Sequence, residues 1–198
     1  MQDILFVMIL IISVVFHEVA HGYTADKLGD PTPRIAGRLT LNPLVHLDWF
    51  GSVILPALLI LSGAPFILGW AKPVPFNPYY FKNSRWDAVK VALAGPLTNI
   101  VIALLAAVLL QILPIGIIGA AFLELTVVMN IALAVFNLVP VPPLDGHHVL
   151  FAFIPDQYNH IKESLRRYAF PILIVFLLVG LDLIEPIIFG LSNVLLNS

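Results

Sequence analysis

The sequence predicts an all-α integral membrane protein, a polytopic bundle of four to five transmembrane helices plus a re-entrant or hairpin element. Of its 198 residues, 60% are hydrophobic and only 11% are charged, and the mean hydropathy is +0.97. A soluble domain usually carries about a quarter charged residues, and this much apolar surface could not be hidden in one soluble core. The length is that of one domain, so we expect a single membrane domain over 1–198.

Long apolar stretches give the candidate spans, because a spanning helix needs about 20 mostly apolar residues. Four stretches meet this requirement, namely 3–26, 86–113, 117–139 and 168–190. The first stretch has no basic region before it and no small-residue cleavage site after it. We therefore expect it to be a retained transmembrane helix and not a secretory signal.

A fifth apolar stretch, 51–69, is interrupted by Pro56, Gly63 and Pro65. The positive-inside rule places the three basic loops in the cytoplasm. Their basic residues are Lys27, Arg34, Arg38, Lys72, Lys82, Arg85, Lys162, Arg166 and Arg167. This orientation requires 51–69 to enter and leave on the same side, so we favour four crossings plus a re-entrant element over five full crossings.

Two connecting segments have distinct patterns. Residues 34–42 lie in a stretch rich in Pro, Gly, Asn and charge, and they predict a short strand or hairpin. Residues 70–85 contain three prolines near their start, which remove backbone donors and fix φ. We therefore expect 70–85 to be irregular.

Composition limits the chemistry. The net charge of −2 and the absence of a basic block give no reason to expect a nucleic-acid partner. The chain has no cysteine, so a thiolate can serve neither as nucleophile nor as metal ligand. Any metal must be held by His, Asp or Glu side chains.

The clearest chemical signal lies in the first apolar stretch, where His17 and His21 are four positions apart and Glu18 follows His17. Positions i and i+4 share one helix face, so both imidazoles can bind one metal ion beside the carboxylate. Ionisable residues in a membrane helix are costly and normally mark function. The pattern predicts a hydrolytic zinc site with Glu18 as the general base.

A catalytic zinc ion takes three protein ligands and leaves a fourth position for water, so a third ligand must come from elsewhere. The Pro-rich string that follows Asn137 breaks a helix and ends in Asp145 and Gly146, which favours an acid facing a cavity. Spacing alone leaves several candidates open, namely His46, Asp48, Asp145, His147 and His148.

Several separated motifs, in order along nearly the whole chain, resemble signatures of the site-2 protease family and its small prokaryotic members. They are His17-Glu-Val-Ala-His21-Gly22, Asn42-Pro-Leu-Val-His-Leu-Asp48, Gly69-Trp-Ala-Lys-Pro-Val-Pro75, Ala94-Gly-Pro-Leu-Thr-Asn99 and the string from Asn137 to Gly146. The resemblance implies that Asp145 is the third ligand of one Zn²⁺ per chain. It also implies that Asn99 and Asn137 lie near the cleft. Either amide would add a donor to the oxyanion or, as the alternative, form a hydrogen bond between helices.

The function expected from the resemblance is zinc-dependent intramembrane proteolysis of transmembrane protein or peptide substrates. The expected location is a prokaryotic plasma membrane, with the lipid bilayer as solvent. The alternative is a membrane metal transporter or sensor that uses the same ligands without catalysis. Glu18 argues against that alternative, because a transporter has no use for a base beside its first ligand.

Overall fold

The computed structural model describes residues 2–63 and 69–197, which are mostly helical. The helices, in chain order, are α1 (Gln2–Lys27), α2 (Thr32–Ile35), α3 (Pro43–His46), α4 (Leu55–Leu61), α5 (Ser84–Ile112), α6 (Ile117–Leu138), α7 (Gly146–Phe153), α8 (Asn159–Arg167), α9 (Ala169–Val179) and α10 (Leu181–Leu196). A π-helical turn, Trp49–Ile54, precedes α4. Two 3₁₀ turns cover Pro78–Tyr80 and Asp156–Tyr158.

Three of these helices, α1, α5 and α6, are long and apolar enough to cross a membrane. They confirm the helices predicted over 3–26, 86–113 and 117–139. Helix α5 lies between the other two and packs against both. Small side chains line part of the α5–α6 contact, which allows close approach of helices where no water drives association. The buried cluster there is Ala103, Ala106, Ala107, Val127 and Ile131.

The predicted helix over 168–190 is not continuous, because α9 and α10 meet at Gly180 with a bend of 65°. A Cβ atom at Gly180 would lie only 2.2 Å from the Phe176 ring. The absent side chain therefore makes room for the ring at the bend. Counting this pair as one broken span, the described residues provide up to four membrane spans.

Trp49–Leu61 is a short apolar helical element. At 1.5 Å per residue it is roughly 20 Å long, whereas the hydrocarbon core is about 30 Å thick. The Trp70 amide donates to the Gly51 carbonyl at 3.2 Å, and the Lys72 amide donates to the His46 carbonyl at 2.9 Å. The chain that follows the element thus comes back beside the start of the element, as a re-entrant segment requires.

Residues 64–68, which include the predicted interruption at Pro65, lie outside the described part of the chain.

The strand or hairpin predicted over 34–42 is wrong. Helix α2 occupies the start of this range, and Gly37, with φ of 67°, turns the chain after it. Within the described residues, bridge pairing occurs only between Leu47 and Ala71. The turn chemistry of proline and glycine outweighed the weak alternation that suggested a strand. The irregular structure predicted for 70–85 is confirmed up to the 3₁₀ turn at Pro78.

Candidate metal centre

Two imidazoles and one carboxylate converge between α1 and the start of α7. His17 and His21 lie one turn apart on α1, and their Nε2 atoms are 3.0 Å from each other. The Oδ2 atom of Asp145 lies 3.1 Å from His17 Nε2 and 3.3 Å from His21 Nε2. Among the described His, Asp and Glu residues, these three form the group whose ligand atoms are close enough to hold a metal ion.

The spacing of these three atoms fits a zinc ion. Zinc bonds of about 2.0–2.2 Å in a tetrahedral arrangement place neighbouring ligand atoms about 3.3 Å apart. The separations of 3.0, 3.1 and 3.3 Å agree with this value. Two imidazoles and one carboxylate with an open fourth position form the donor set of catalytic zinc, since structural zinc sites have four protein ligands.

Asp145 reaches the two imidazoles because the chain folds tightly back after α6. A Cβ atom at Gly146 would lie 2.3 Å from the Leu138 carbonyl oxygen and 2.5 Å from that of Val139. Only glycine permits this approach, which places Asp145 immediately before α7.

Three of the other candidates for a third ligand are engaged elsewhere. The His46 Nε2 atom donates to the Thr40 carbonyl at 2.8 Å, and the Asp48 carboxylate accepts from the Gly51 amide at 2.7 Å. The His147 Nδ1 atom donates to the Leu144 carbonyl at 2.6 Å. His148 lies beside the ligand group, where burial and then the neighbouring His147 lower the pKa of its imidazole to about 3. His148 is therefore a neutral side chain near pH 7.

Hydrogen bonds at the far nitrogens orient both imidazoles. The His21 Nδ1 atom donates to the Val91 carbonyl at 2.7 Å, and the His17 Nδ1 atom donates to Asn99 Oδ1 at 2.6 Å. With the proton on Nδ1, each Nε2 lone pair is available to a metal ion.

The amide of Asn99 is itself held in one orientation. Its Nδ2 atom donates to Asn130 Oδ1 at 2.9 Å. The Nδ2 atom of Asn130 donates in turn to Ser13 Oγ and to the Thr126 carbonyl, each at 2.9 Å. The Thr126 carbonyl can only accept a hydrogen bond, so Nδ2 of Asn130 faces Thr126 and Oδ1 of Asn130 faces Asn99. Asn99 therefore turns its Nδ2 atom to Asn130 and its Oδ1 atom to His17. This hydrogen-bond chain links α1, α5 and α6.

Gly95 provides the space in which the two imidazoles meet. A Cβ atom on this α5 residue would lie 2.4 Å from His21 Nε2 and 2.6 Å from His17 Nε2. Any larger side chain would therefore displace a ligand atom. The sequence signalled Gly95 only as part of the Ala94–Asn99 motif.

Glu18 lines a pocket together with two members of the ligand group, His21 and Asp145. Its Oε2 atom accepts from the Val74 amide at 2.8 Å, which brings the irregular segment after Trp70 against the carboxylate. The sequence contained no signal for this contact, since a backbone amide is the donor. The residues lining the pocket are Glu18, His21, Pro73, Val74, Phe76, Ala92, Pro143, Asp145 and His148.

The two predicted oxyanion donors lie away from this lining. Asn99 is fully buried on the Nδ1 side of His17, opposite the Nε2 atom that faces Asp145. The Asn137 amide donates to the Leu133 carbonyl one turn earlier in α6. The structure thus places Asn99 where it orients His17, and the substrate role of both amides stays a prediction.

Comparison with known proteins agrees with this geometry. The model of peptidase family M50 matches residues 5–119 and 114–180. The chain belongs to peptidase family M50. The resemblance to site-2 proteases is thereby confirmed, and the apolar helices make the protein a multi-pass membrane protein.

Named relatives cover most of this M50 chain. YwhC of Bacillus subtilis is 35% identical over 184 residues, which are 88% of this chain and 80% of YwhC. Rip2 of Mycobacterium tuberculosis strain H37Rv is 33% identical over 185 residues, 88% of this chain and 66% of Rip2. MJ0392 of Methanocaldococcus jannaschii, named a zinc metalloprotease, is 25% identical over 161 residues, 81% of this chain and 37% of MJ0392. No solved structure matches the chain significantly.

Proposed function

We propose that this protein is a zinc-dependent intramembrane endopeptidase that cleaves peptide bonds within or near transmembrane segments of membrane proteins. The observation that carries the proposal is the convergence of His17, His21 and Asp145 beside the carboxylate of Glu18. Membership of family M50 supports it. The metal transporter or sensor is the weaker alternative, because it leaves Glu18 without a role.

His17, His21 and Asp145 would hold one zinc ion per chain, with Asn99 and the Val91 carbonyl keeping both imidazoles in the required tautomer. Zinc, when bound, supplies Lewis-acid polarisation of the scissile carbonyl and activates water near neutral pH.

Glu18 would take a proton from the attacking water and later pass it to the departing amine. The Val74 amide, which donates to Oε2, fixes the direction of the carboxylate. The remaining oxygen, Oε1, then receives the proton.

The membrane adds a requirement on the substrate. A helical substrate has its backbone amides bonded within its own segment, so it must unwind locally before its carbonyl can enter the site. The pocket is formed partly by the irregular segment 73–76, next to α1 and the start of α7. An unwound substrate would enter beside this segment.

Replacing Glu18 and Asp145 separately should divide catalysis from metal binding. Glu18→Gln should lower cleavage of a single-span model substrate by about 100-fold or more and leave zinc bound, because it removes only the base. Asp145→Ala should lower zinc content, because it removes a ligand. Zinc per chain is measured by elemental analysis, and wild type with a chelator is the control. Full activity in Glu18→Gln, or unchanged zinc in Asp145→Ala, would contradict the assigned role.

A further inference from the structure

A buried arginine lies on the far side of the loop that contacts Glu18. Arg38 is only 4% exposed, and its guanidinium donates to the backbone carbonyls of Val45, Lys72 and Pro73. Within the described residues, none of the ion pairs includes Arg38. A buried cation is costly unless its donors are satisfied. The partners of this guanidinium are all backbone carbonyls, and its Nε atom has no partner in the described residues, so the role of Arg38 lies in the backbone that it binds.

One peptide group connects Arg38 to Glu18. The Pro73 carbonyl oxygen lies 3.1 Å from Arg38 Nη2, and the Val74 nitrogen of the same peptide group lies 2.8 Å from Glu18 Oε2. In a planar trans peptide the C=O and N–H bonds point in opposite directions. The peptide dipole therefore has its negative end at the guanidinium and its positive end at the carboxylate, and each hydrogen bond strengthens the other.

The neighbouring residues restrict the Pro73–Val74 peptide group so that its main remaining motion is rotation of the peptide plane. Pro73 and Pro75 have fixed φ, and Val74 is further restricted because it precedes a proline. The Val74 side chain is buried against α1, where a Cβ atom on Gly22 would lie 3.0 Å from Val74 Cγ1. Rotation of the Pro73–Val74 peptide plane remains, and it would turn the amide away from Glu18. The bond from Arg38 opposes that rotation.

We propose that Arg38 is a positioning residue for the general base, acting through the Pro73–Val74 peptide group. The inference rests on the proposed function, since it names how the base is held. Arg38 fixes the carbonyl, the carbonyl fixes the amide, and the amide holds Glu18 Oε2. Arg38 is not among the residues that line the pocket and is not part of the ligand group; it contacts the lining only at the backbone carbonyl of Pro73. Removing it should therefore impair proton transfer and spare metal binding.

Steady-state kinetics of Arg38→Met tests this assignment, with Arg34→Met as the matched control. The Arg34 side chain is 68% exposed and pairs with Asp26 at the surface. In the purified full chain, Arg38→Met should keep its zinc and a KM within about twofold of wild type, while kcat falls about 10- to 100-fold. Arg34→Met should match wild type, and Arg38→Lys should recover part of kcat. Wild-type kcat in Arg38→Met, or parallel loss of zinc and activity, overturns the proposal.

Amide exchange tests the same contact without substrate. Because proline has no amide hydrogen, Val74 carries the single exchangeable backbone amide in 73–75. Its deuterium uptake should be faster in Arg38→Met and in Glu18→Ala, and close to wild type in Glu18→Gln, which keeps an acceptor oxygen. Equal uptake in all variants overturns the relay. If the variants change Val74 exchange as expected but the wild-type protein binds no zinc and cleaves no substrate, the proposed function is refuted. The contact from Arg38 through the Val74 amide to Glu18 is then still supported.

Discussion

His17 and Glu18 are adjacent in the sequence, but they are held by different kinds of structure. Behind His17, the hydrogen-bond chain through Asn99 and Asn130 runs between three packed helices and is fully buried. Beside Glu18, the partner is the amide of Val74 in an irregular segment that lines an open pocket. His17 is thus held by packed helices and Glu18 by a loop.

This difference has a functional consequence. Packed helices open only with much of the fold, whereas loops with few buried contacts open locally at low cost. Under the proposed function, a substrate would have to pass the loop to reach the site, while the contact from Arg38 keeps the Val74 amide beside Glu18. The ligand side has to be fixed, because small shifts of ligand atoms weaken a metal site.

The largest expected effect comes from adding one methyl group at Gly95. Gly95→Ala should lower zinc affinity by more than about 100-fold, because the new Cβ would overlap both ligand nitrogens. Gly22→Ala is the matched control: it also lies in α1, but its Cβ would meet side-chain atoms of Leu39, Val74 and Pro33 and no atom of the ligand group. Gly22→Ala should keep zinc. Zinc affinity is measured by chelator competition. Tight zinc binding by Gly95→Ala would show that the surroundings of the two histidines are not rigid.

An intermediate effect is expected when the orienting amide is removed. Asn99→Leu should lower zinc affinity by about 10- to 100-fold, the usual cost of losing an outer partner of a ligating histidine. The reason is that His17 Nδ1 would face an apolar side chain and lose its fixed tautomer. Chelator competition with zinc gives the value, and thermal unfolding of the zinc-free protein checks that the variant is folded. Unchanged affinity in a folded variant would show that helix packing alone orients His17.

The smallest effect is expected at the far end of the hydrogen-bond chain. Ser13→Ala removes one acceptor of Asn130 and should cost about 1 kcal/mol, or about fivefold in zinc affinity if the amide chain reorients. Ser192 is a matched serine in α10, equally buried, whose Oγ has no hydrogen-bond partner within the described structure. Ser192→Ala should leave zinc affinity at the wild-type value. Equal effects of the two variants on zinc affinity would show that Ser13 does not contribute to the hydrogen-bond chain behind His17.

Much of the helical framework was predictable because its signals are local. Continuous apolar stretches defined α1, α5 and α6 to within about two residues, since length and hydropathy suffice for a spanning helix. The same criterion failed over 168–190, where apolar composition could not reveal a bend at Gly180. It also could not show that the chain after Trp49–Leu61 comes back beside the start of this element, because that depends on hydrogen bonds between residues that are distant in the sequence.

The sequence by itself determined that His17 and His21 share a helix face with Glu18 beside them, because a helical period of 3.6 residues leaves no other arrangement. Only the tertiary structure distinguished Asp145 from the other candidates for the third ligand, by placing it next to both imidazoles, 128 positions after His17. The tertiary structure alone also revealed that the Val74 amide binds Glu18, that Gly95 leaves space for both imidazoles, and that Asn99 is hydrogen-bonded to Asn130. These features arise from contacts between distant segments and from backbone atoms, which residue types and spacing do not specify.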